Sequence, residues 1–146
     1  CFLGATEVDL DFNVNVNTHS DGRLLHGTGG HSDAAEGSKV TIVFAPVARK
    51  GNPIIRKRVT TVSTPGEAVD VVVTDAGIAV NPRNEWLKKQ LKGTDLPLRS
   101  IAELEQASCD AATCPPFDPA IDEEDVVAVI EYRDGTILDV VYRLLG

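Results

Sequence analysis

The sequence predicts a mixed α/β fold, with a largely parallel sheet flanked by helices and closed by a C-terminal β-hairpin. Three observations lead there. Residues 40–47 and 69–74 are nearly continuous apolar runs rich in β-branched side chains, as expected of strands covered on both faces. Asn84 and Ser100 each stand just before an apolar stripe at helical spacing. Asp134-Gly135 lies between two further apolar runs, a strong hairpin signal. At 146 residues the chain has the size of one domain, spanning 1–146.

From residue 3 to residue 16, Val8, Leu10, Phe12, Val14 and Val16 share one parity, which predicts a half-buried strand. The other parity then carries Asp9, Asp11, Asn13, Asn15 and Asn17 toward solvent or a site. Asp21-Gly22 marks a turn, Gly27-Thr28-Gly29-Gly30 a backbone of unusual dihedrals, and residues 34–38 a short helical turn. Val40, Ile42, Val43, Phe44, Ala45 and Val47 leave the next strand almost no polar side. Lys50-Gly51-Asn52-Pro53 turns the chain into a more exposed strand over 54–62, and Thr64-Pro65-Gly66 punctuates again. Val71, Val72 and Val73 mark a central strand, followed by a strand over 77–80 that ends at Asn81-Pro82. A helix from Asn84 through Lys92 presents Trp86, Leu87 and Leu91 as its apolar stripe and stops at Gly93. Ser100 opens a second helix, with Glu103 at capping-box spacing. Residues 108–125 form a long acidic loop that links rather than packs, and 126–133 pairs with 136–144 as the hairpin.

Hydrophobic residues make up 42% and charged residues 25%, which excludes a mainly disordered chain. The net charge of −8 repels phosphate backbones and anionic lipid, so neither nucleic acid nor membrane is an expected partner. No apolar run approaches the roughly 18 residues of a membrane span. Residues 1–11 carry no basic side chain and are interrupted by Glu7 and Asp9, so no export signal is legible and a cytoplasmic setting is expected. The chain contains no Met, even at position 1, and reads as a processed chain or a fragment. Cys1, Cys109 and Cys114 are too few for a disulfide framework. Cys109 and Cys114 are expected as free thiols in a surface insertion, with pairing or metal binding as the alternative.

The densest candidate for chemistry is Gly27-Thr28-Gly29-Gly30-His31-Ser32-Asp33. Bare glycines let backbone N–H groups converge on a developing negative charge, and Ser32 or Asp33 could cap a following helix. A plain glycine turn is the competing reading. The glycines match neither the phosphate-binding loop nor the dinucleotide fingerprint. His19, His26, His31, Asp21 and Asp33 crowd together, but their spacings fit no compact zinc pattern, so no metal is expected. Adjacent His31, Ser32 and Asp33 cannot form a relay triad. Arg49, Lys50, Arg56, Lys57 and Arg58 form a local cationic stretch suited to a carboxylate or phosphate, or else a solvated hairpin tip. Asn13 and Asn15 could hydrogen-bond a small polar ligand, or wet an edge strand.

Four stretches together resemble the citrate lyase alpha subunit family. They are L-G-A-T-E-V-D-L-D-F-N-V-N-V from Leu3, G-T-G-G-H-S-D from Gly27, V-T-T-V-S-T-P-G-E-A-V-D-V-V-V-T-D-A-G-I-A-V-N-P from Val59, and E-Y-R-D-G-T-I-L-D-V-V near the end. The resemblance implies a CoA-transferase-like fold and the C-terminal portion of a longer subunit built from two related α/β domains. It also implies an activity, the exchange of acetyl for citryl on an acyl-carrier-protein thioester with release of acetate. The cofactor implied is none bound directly, only the dephospho-CoA-derived prosthetic group of the carrier protein or a CoA thioester. The partners implied are citrate, the acyl carrier protein and the lyase subunits. Gly29, Gly30, His31 and Asp33 become the expected catalytic group, and Asn13, Asn15, Arg49, Arg56 and Arg58 the expected citrate contacts. Thr74, Gly77 and Ala79 fall on a motif near the thioester arm. Related transferases with a covalent mechanism use a glutamate in Glu-x-Gly; this chain has none, which fits direct transfer through a mixed anhydride. A non-catalytic assembly module, or a transferase for another carboxylate such as malonate, are the rival readings.

Overall fold

The N-terminal alternation does not persist as one strand. The computed structural model, which describes residues 1–115, 117 and 119–145, divides it into β1 (Phe2–Gly4), β2 (Glu7–Asp9) and β3 (Val14–Asn15). Asp9 is the cause. Its Oδ1 accepts the amides of Asp11 and Asn13 at 3.0 and 2.9 Å, and Phe12 takes a φ of 66° in the reversal. β2 then pairs back onto β3, with Glu7 opposite Asn15. Both parities consequently lie inside: Val8, Phe12 and Val14 join the core, Glu7, Asp9, Asn15 and Asn17 are also buried, and Asp11 stays exposed.

The first helix, α1 (His31–Glu36), starts earlier than the sequence suggested, and β4 (Ile42–Phe44) takes the centre of the following apolar run. β5 (Ala48–Arg49) and β6 (Asn52–Pro53) pair around Lys50-Gly51, whose φ angles are 51° and 83°. Of the expected strand over 54–62 only β7 (Ile55–Arg56) forms, parallel to β2. β8 (Val71–Thr74) and β9 (Gly77–Val80) follow as expected, and the pair is extended by the unexpected β10 (Leu98–Arg99). These strands make a five-stranded sheet of order β1-β4-β8-β9-β10, in which only the β8–β9 pairing is antiparallel. The mixed, largely parallel α/β architecture is therefore present. Val43, Val72 and Ala79 stand in register on its inner face and pack with Val8, Val14, Ile55 and Leu104.

Asn84 caps α2 (Glu85–Leu91) by accepting the Leu87 amide at 2.9 Å. Its apolar stripe packs less than expected, since no residue of α2 is buried and Trp86 is 58% exposed. Ser100 and Glu103 form the full capping box of α3 (Ile101–Ala111). The chain closes on the hairpin of β11 (Ile121–Glu131) and β12 (Ile137–Leu144), turned at Gly135 with φ 89°. Its tip reaches α1 through Tyr132–Glu36 and Arg133–Asp33. No described helix is long and apolar enough to cross a membrane.

Residues 108–125 are not a free linker. Ser108 is buried on α3, where its Oγ accepts the amides of Ile54 and Ile55 at 3.0 Å and donates to the Val47 carbonyl. The Ile54 amide also reaches Val47 O, whereas the Ile55 amide depends on the serine. Ser108→Ala should therefore lower the unfolding free energy by about 1–3 kcal/mol in a urea titration, the cost of one orphaned buried amide. A change within a few tenths would show that the contact carries no weight.

Candidate functional site

β1, β4 and β8 run parallel and end together, with Gly4, Phe44 and Val73 in register. The carboxyl ends of such strands are where open α/β sheets hold ligands. The loop from Gly27 to Gly30 leads into α1, whose first residue His31 bonds Gly4 O at the end of β1. Gly29 takes φ 57°, the left-handed region that favours glycine. Gly30 is the N-cap of α1 but provides no side-chain cap, and neither Ser32 nor Asp33 fills that role. Asp33 is exposed instead and approaches Arg133 at 3.7 Å. A Cβ added at position 27, 29 or 30 would meet no atom within 4 Å. The amides of Gly29 and Gly30 have no hydrogen-bond partner among the described residues. The loop therefore offers two adjacent donors into open space.

Two side chains hold this loop in place. Asn17 Nδ2 donates to His26 O at 3.0 Å and to Thr28 Oγ1 at 3.3 Å. His31 reaches Gly4 O through Nε2 at 3.0 Å and Thr64 Oγ1 through Nδ1 at 2.7 Å. A carbonyl only accepts, so Nε2 carries the proton and neutral Nδ1 accepts from the threonine. Burial pushes the imidazole below its ordinary value, although the bond to Gly4 favours the charged form. Both ring nitrogens are committed within the chain, so His31, expected in the catalytic group, braces the glycine loop here.

Behind the loop lies a buried polar network that replaces three expected citrate contacts. Arg56 Nη1 meets Glu7 Oε1 at 2.5 Å and also donates to Thr60 Oγ1 at 3.1 Å, while Nη2 donates to Phe117 O at 2.7 Å. Glu7 Oε2 accepts the Thr60 amide and Asn15 Nδ2, both at 2.9 Å. Asn15 also donates to Thr18, and its Oδ1 accepts the amides of Asn17 and Thr18. Asn13 is similarly occupied, donating to Asp9 and accepting the Gly66 amide. Arg56, Asn15 and Asn13 are therefore structural, and the sequence signal that misled was a polar parity read as outward-facing. Glu7 was the informative residue, an acid set within an apolar strand with no nearby cation in sequence.

The remaining candidates divide. Arg49 and Arg58 are exposed, and Arg58 lines a ≈290 Å³ pocket against α3 with Lys57 and Glu105. Thr74 lies at the same strand ends as the glycine loop, on a pocket of ≈320 Å³ shared with Phe44, Pro46 and Asp75. Gly77 and Ala79 are buried in the sheet, where a Cβ at 77 would approach Arg99 at 2.9 Å and Pro97 O at 3.0 Å. Gly77 opens β9 opposite Thr74, and Ala79 packs in the core. All three cysteines are exposed and free, with Cys109 on α3. Among the described residues no group of three or more His, Cys, Asp or Glu side chains is placed to hold a metal. A further concavity of ≈650 Å³, between α2 and α3, opens at the opposite end of the sheet beside Val80 and Arg99.

Comparison with known proteins agrees with this geometry. The family described as citrate lyase, alpha subunit, matches residues 1–144. The citrate lyase alpha chain of Klebsiella pneumoniae is 47% identical over 142 residues, and that of Escherichia coli (strain K12) 42%. Each comparison covers 97% of this chain but 28% of the relative, so the chain spans little more than a quarter of their length. A citrate-bound crystal structure assigned to the citrate lyase alpha subunit of Streptococcus mutans superposes with a TM-score of 0.95 at 42% identity, covering 100% of this chain and 28% of that one. With the family model matching residues 1–144 and the fold shared at 42% identity, the chain belongs to the citrate lyase alpha subunit family.

Proposed function

We propose that this chain is the C-terminal portion of a citrate CoA-transferase, which exchanges acetyl for citryl on an acyl-carrier-protein thioester. The observation that carries the reading is the pair of unpartnered amides at Gly29 and Gly30, set at the carboxyl ends of parallel strands in a member of this family. A citrate carboxylate oxygen attacks the acetyl thioester carbon, forming a C–O bond and a tetrahedral oxyanion. The two amides donate to that oxyanion. Collapse breaks the C–S bond and leaves a mixed anhydride and the carrier thiolate. The thiolate then attacks the citryl carbonyl and expels acetate, with no net change in protons.

Citrate as the carboxylate is supported by the citrate complex of the Streptococcus mutans relative. Arg49 and Arg58 remain its candidate cations here. The carrier's dephospho-CoA-derived arm enters as substrate, and the Thr74 pocket, walled by Phe44, Ala45, Pro46 and Val73, suits its apolar chain. The experiment is acetate release from acetylated carrier protein by the complete subunit bearing this sequence. Citrate should support release and malonate should not, and the 146-residue chain alone should fall far below the complete subunit. A preference for malonate replaces the substrate. Binding to lyase subunits without exchange on any carboxylate makes this an assembly module.

A further inference from the structure

The cleft between α2 and α3 joins an apolar floor to a cationic rim. Val80 at the end of β9, Leu98 on β10 and Ile101 at the start of α3 line the floor, and Leu98 is 41% exposed. Glu85, Lys88, Lys89 and Lys92 recur at helical spacing and line the cleft from one face of α2. Arg99 completes the rim. Its stem lies over bare Gly77, with Cδ and Cγ 2.9 and 3.1 Å from where a Cβ would stand.

The acids of the cleft are already engaged. Glu85 holds Lys88 at 2.9 Å, and Glu103 Oε2 accepts the Ser100 amide and hydroxyl at 2.7 and 2.8 Å. The side chains of Lys89, Lys92 and Arg99 make no hydrogen bond or ion pair among the described residues. Lys89 and Arg99 lend only longer-range charge to Glu85 and Glu103. On a chain of net charge −8, three such cations around one apolar floor attract an anion locally. The volume of ≈650 Å³ lies within the roughly 300–1,000 Å³ of small-molecule sites.

We propose that this cleft binds an organic anion with an apolar body. A carboxylate or phosphate head sits among Lys89, Lys92 and Arg99, and the body lies on Val80, Leu98 and Ile101. A compact polyanion would leave the floor uncovered, and an uncharged ligand would leave the cations unused. The site is separate from the glycine loop. Val80 pairs with Val71 at the start of β8, whereas the loop is tied through His31 to Gly4 at the end of parallel β1. An occupied cleft therefore leaves Gly29 and Gly30 open.

The test is calorimetric titration of the complete subunit bearing this sequence with butyrate, hexanoate and octanoate. Octanoate should bind once per chain, with affinity rising about 2–4-fold per methylene along the series. Octyl phosphate against octanoate decides which head the cations prefer, and inorganic phosphate should bind far more weakly than octyl phosphate. Lys89→Glu with Lys92→Glu should weaken octanoate at least ~10-fold. The same reversal at Lys39 and Lys50, outside the cleft, should leave it unchanged. Leu98→Ser should flatten the chain-length dependence while the subunit melts like the parent. Gly30→Val should bind octanoate as the parent does, and loss of binding there would move the site to the glycine loop. Affinity independent of chain length, an unchanged Kd in the Lys89 and Lys92 variant, equal weakening by the Lys39 and Lys50 pair, or no binding by a folded subunit each overturns the proposal. Octanoate binding by a subunit that transfers no acyl group counts against the proposed activity and leaves this site standing.

Discussion

Replacing Arg56 by Met should lower the unfolding free energy by about 3–5 kcal/mol, the usual cost of removing one partner from a buried ion pair. Glu7 is fully buried and Arg56 nearly so, and the variant leaves the carboxylate without a countercharge, held by neutral donors from Thr60, Asn15 and Ser20. Marginal domains hold only about 5–15 kcal/mol in total, so the loss is a large fraction. The paired change Glu7→Met with Arg56→Met should cost much less than the single one, because it removes both desolvation penalties. The pH dependence separates this from a simple packing defect. Burial alone would raise the Glu7 carboxyl, but the Arg56 guanidinium, the Thr60 amide and Asn15 outweigh it and hold it below the ordinary 4.5. A carboxylate depressed in the folded state stabilises above its unfolded value, and the contribution fades as pH falls through the folded one. Arg56→Met removes the largest of the causes that lower this carboxyl and so raises its folded value relative to the parent, and the penalty should grow from acid toward neutral pH. A penalty independent of pH between 3 and 7, scanned by denaturant titration at about one-unit steps, would show that the ion pair is not its source.

In the complete subunit, Gly30→Val should reduce the rate of acetyl–citryl exchange by about 10²-fold or more, because the isopropyl group fills the open space before the two amides and keeps the thioester carbonyl from reaching them, an effect on the scale of losing an oxyanion donor. The expectation is selective, because position 30 has an ordinary φ of −97° and a Cβ there meets nothing within 4 Å. Gly30→Ala in this chain should accordingly hold or slightly raise stability, by about 0.4–1 kcal/mol, through the entropy of the unfolded chain. Nothing inside the chain explains a bare residue at this point, so a rate loss without a stability loss locates an approaching ligand or segment. Wild-type kcat in a well-folded Gly30→Val subunit would place the reacting carbonyl elsewhere.

The elements legible in the sequence are those whose cause is local. The capping box at Ser100 and Glu103, the Asn84 cap and the Asp134-Gly135 turn each need only three or four neighbouring residues, and each is present. The central position of β8 followed from three consecutive valines. The candidate site was legible where glycines signal open backbone, and illegible where a distant partner decides. Alternation along residues 3–16 says that two faces differ, not whether the polar one is buried as well. Arg56, 49 positions beyond Glu7, settles that question, and no spacing pattern announces such a pair. Ser108 is hidden for the same reason, since its partners Ile54 and Ile55 lie 54 and 53 positions away. In α2 the apolar spacing was real, yet it forms a helix without burying the stripe.

The network joining Arg56, Glu7, Asn15 and Asn17 to the glycine loop also constrains how such a chain can change through descent. Each member satisfies a polar group of the next, so a replacement at one position leaves its neighbour stranded and makes a second replacement favourable. Glu7, Asn15 and Arg56 should then be inherited as a unit, kept together or exchanged together. Their persistence across related sequences would resemble the signature of a binding site while recording only the demand for a fold that holds Gly29 and Gly30 in place.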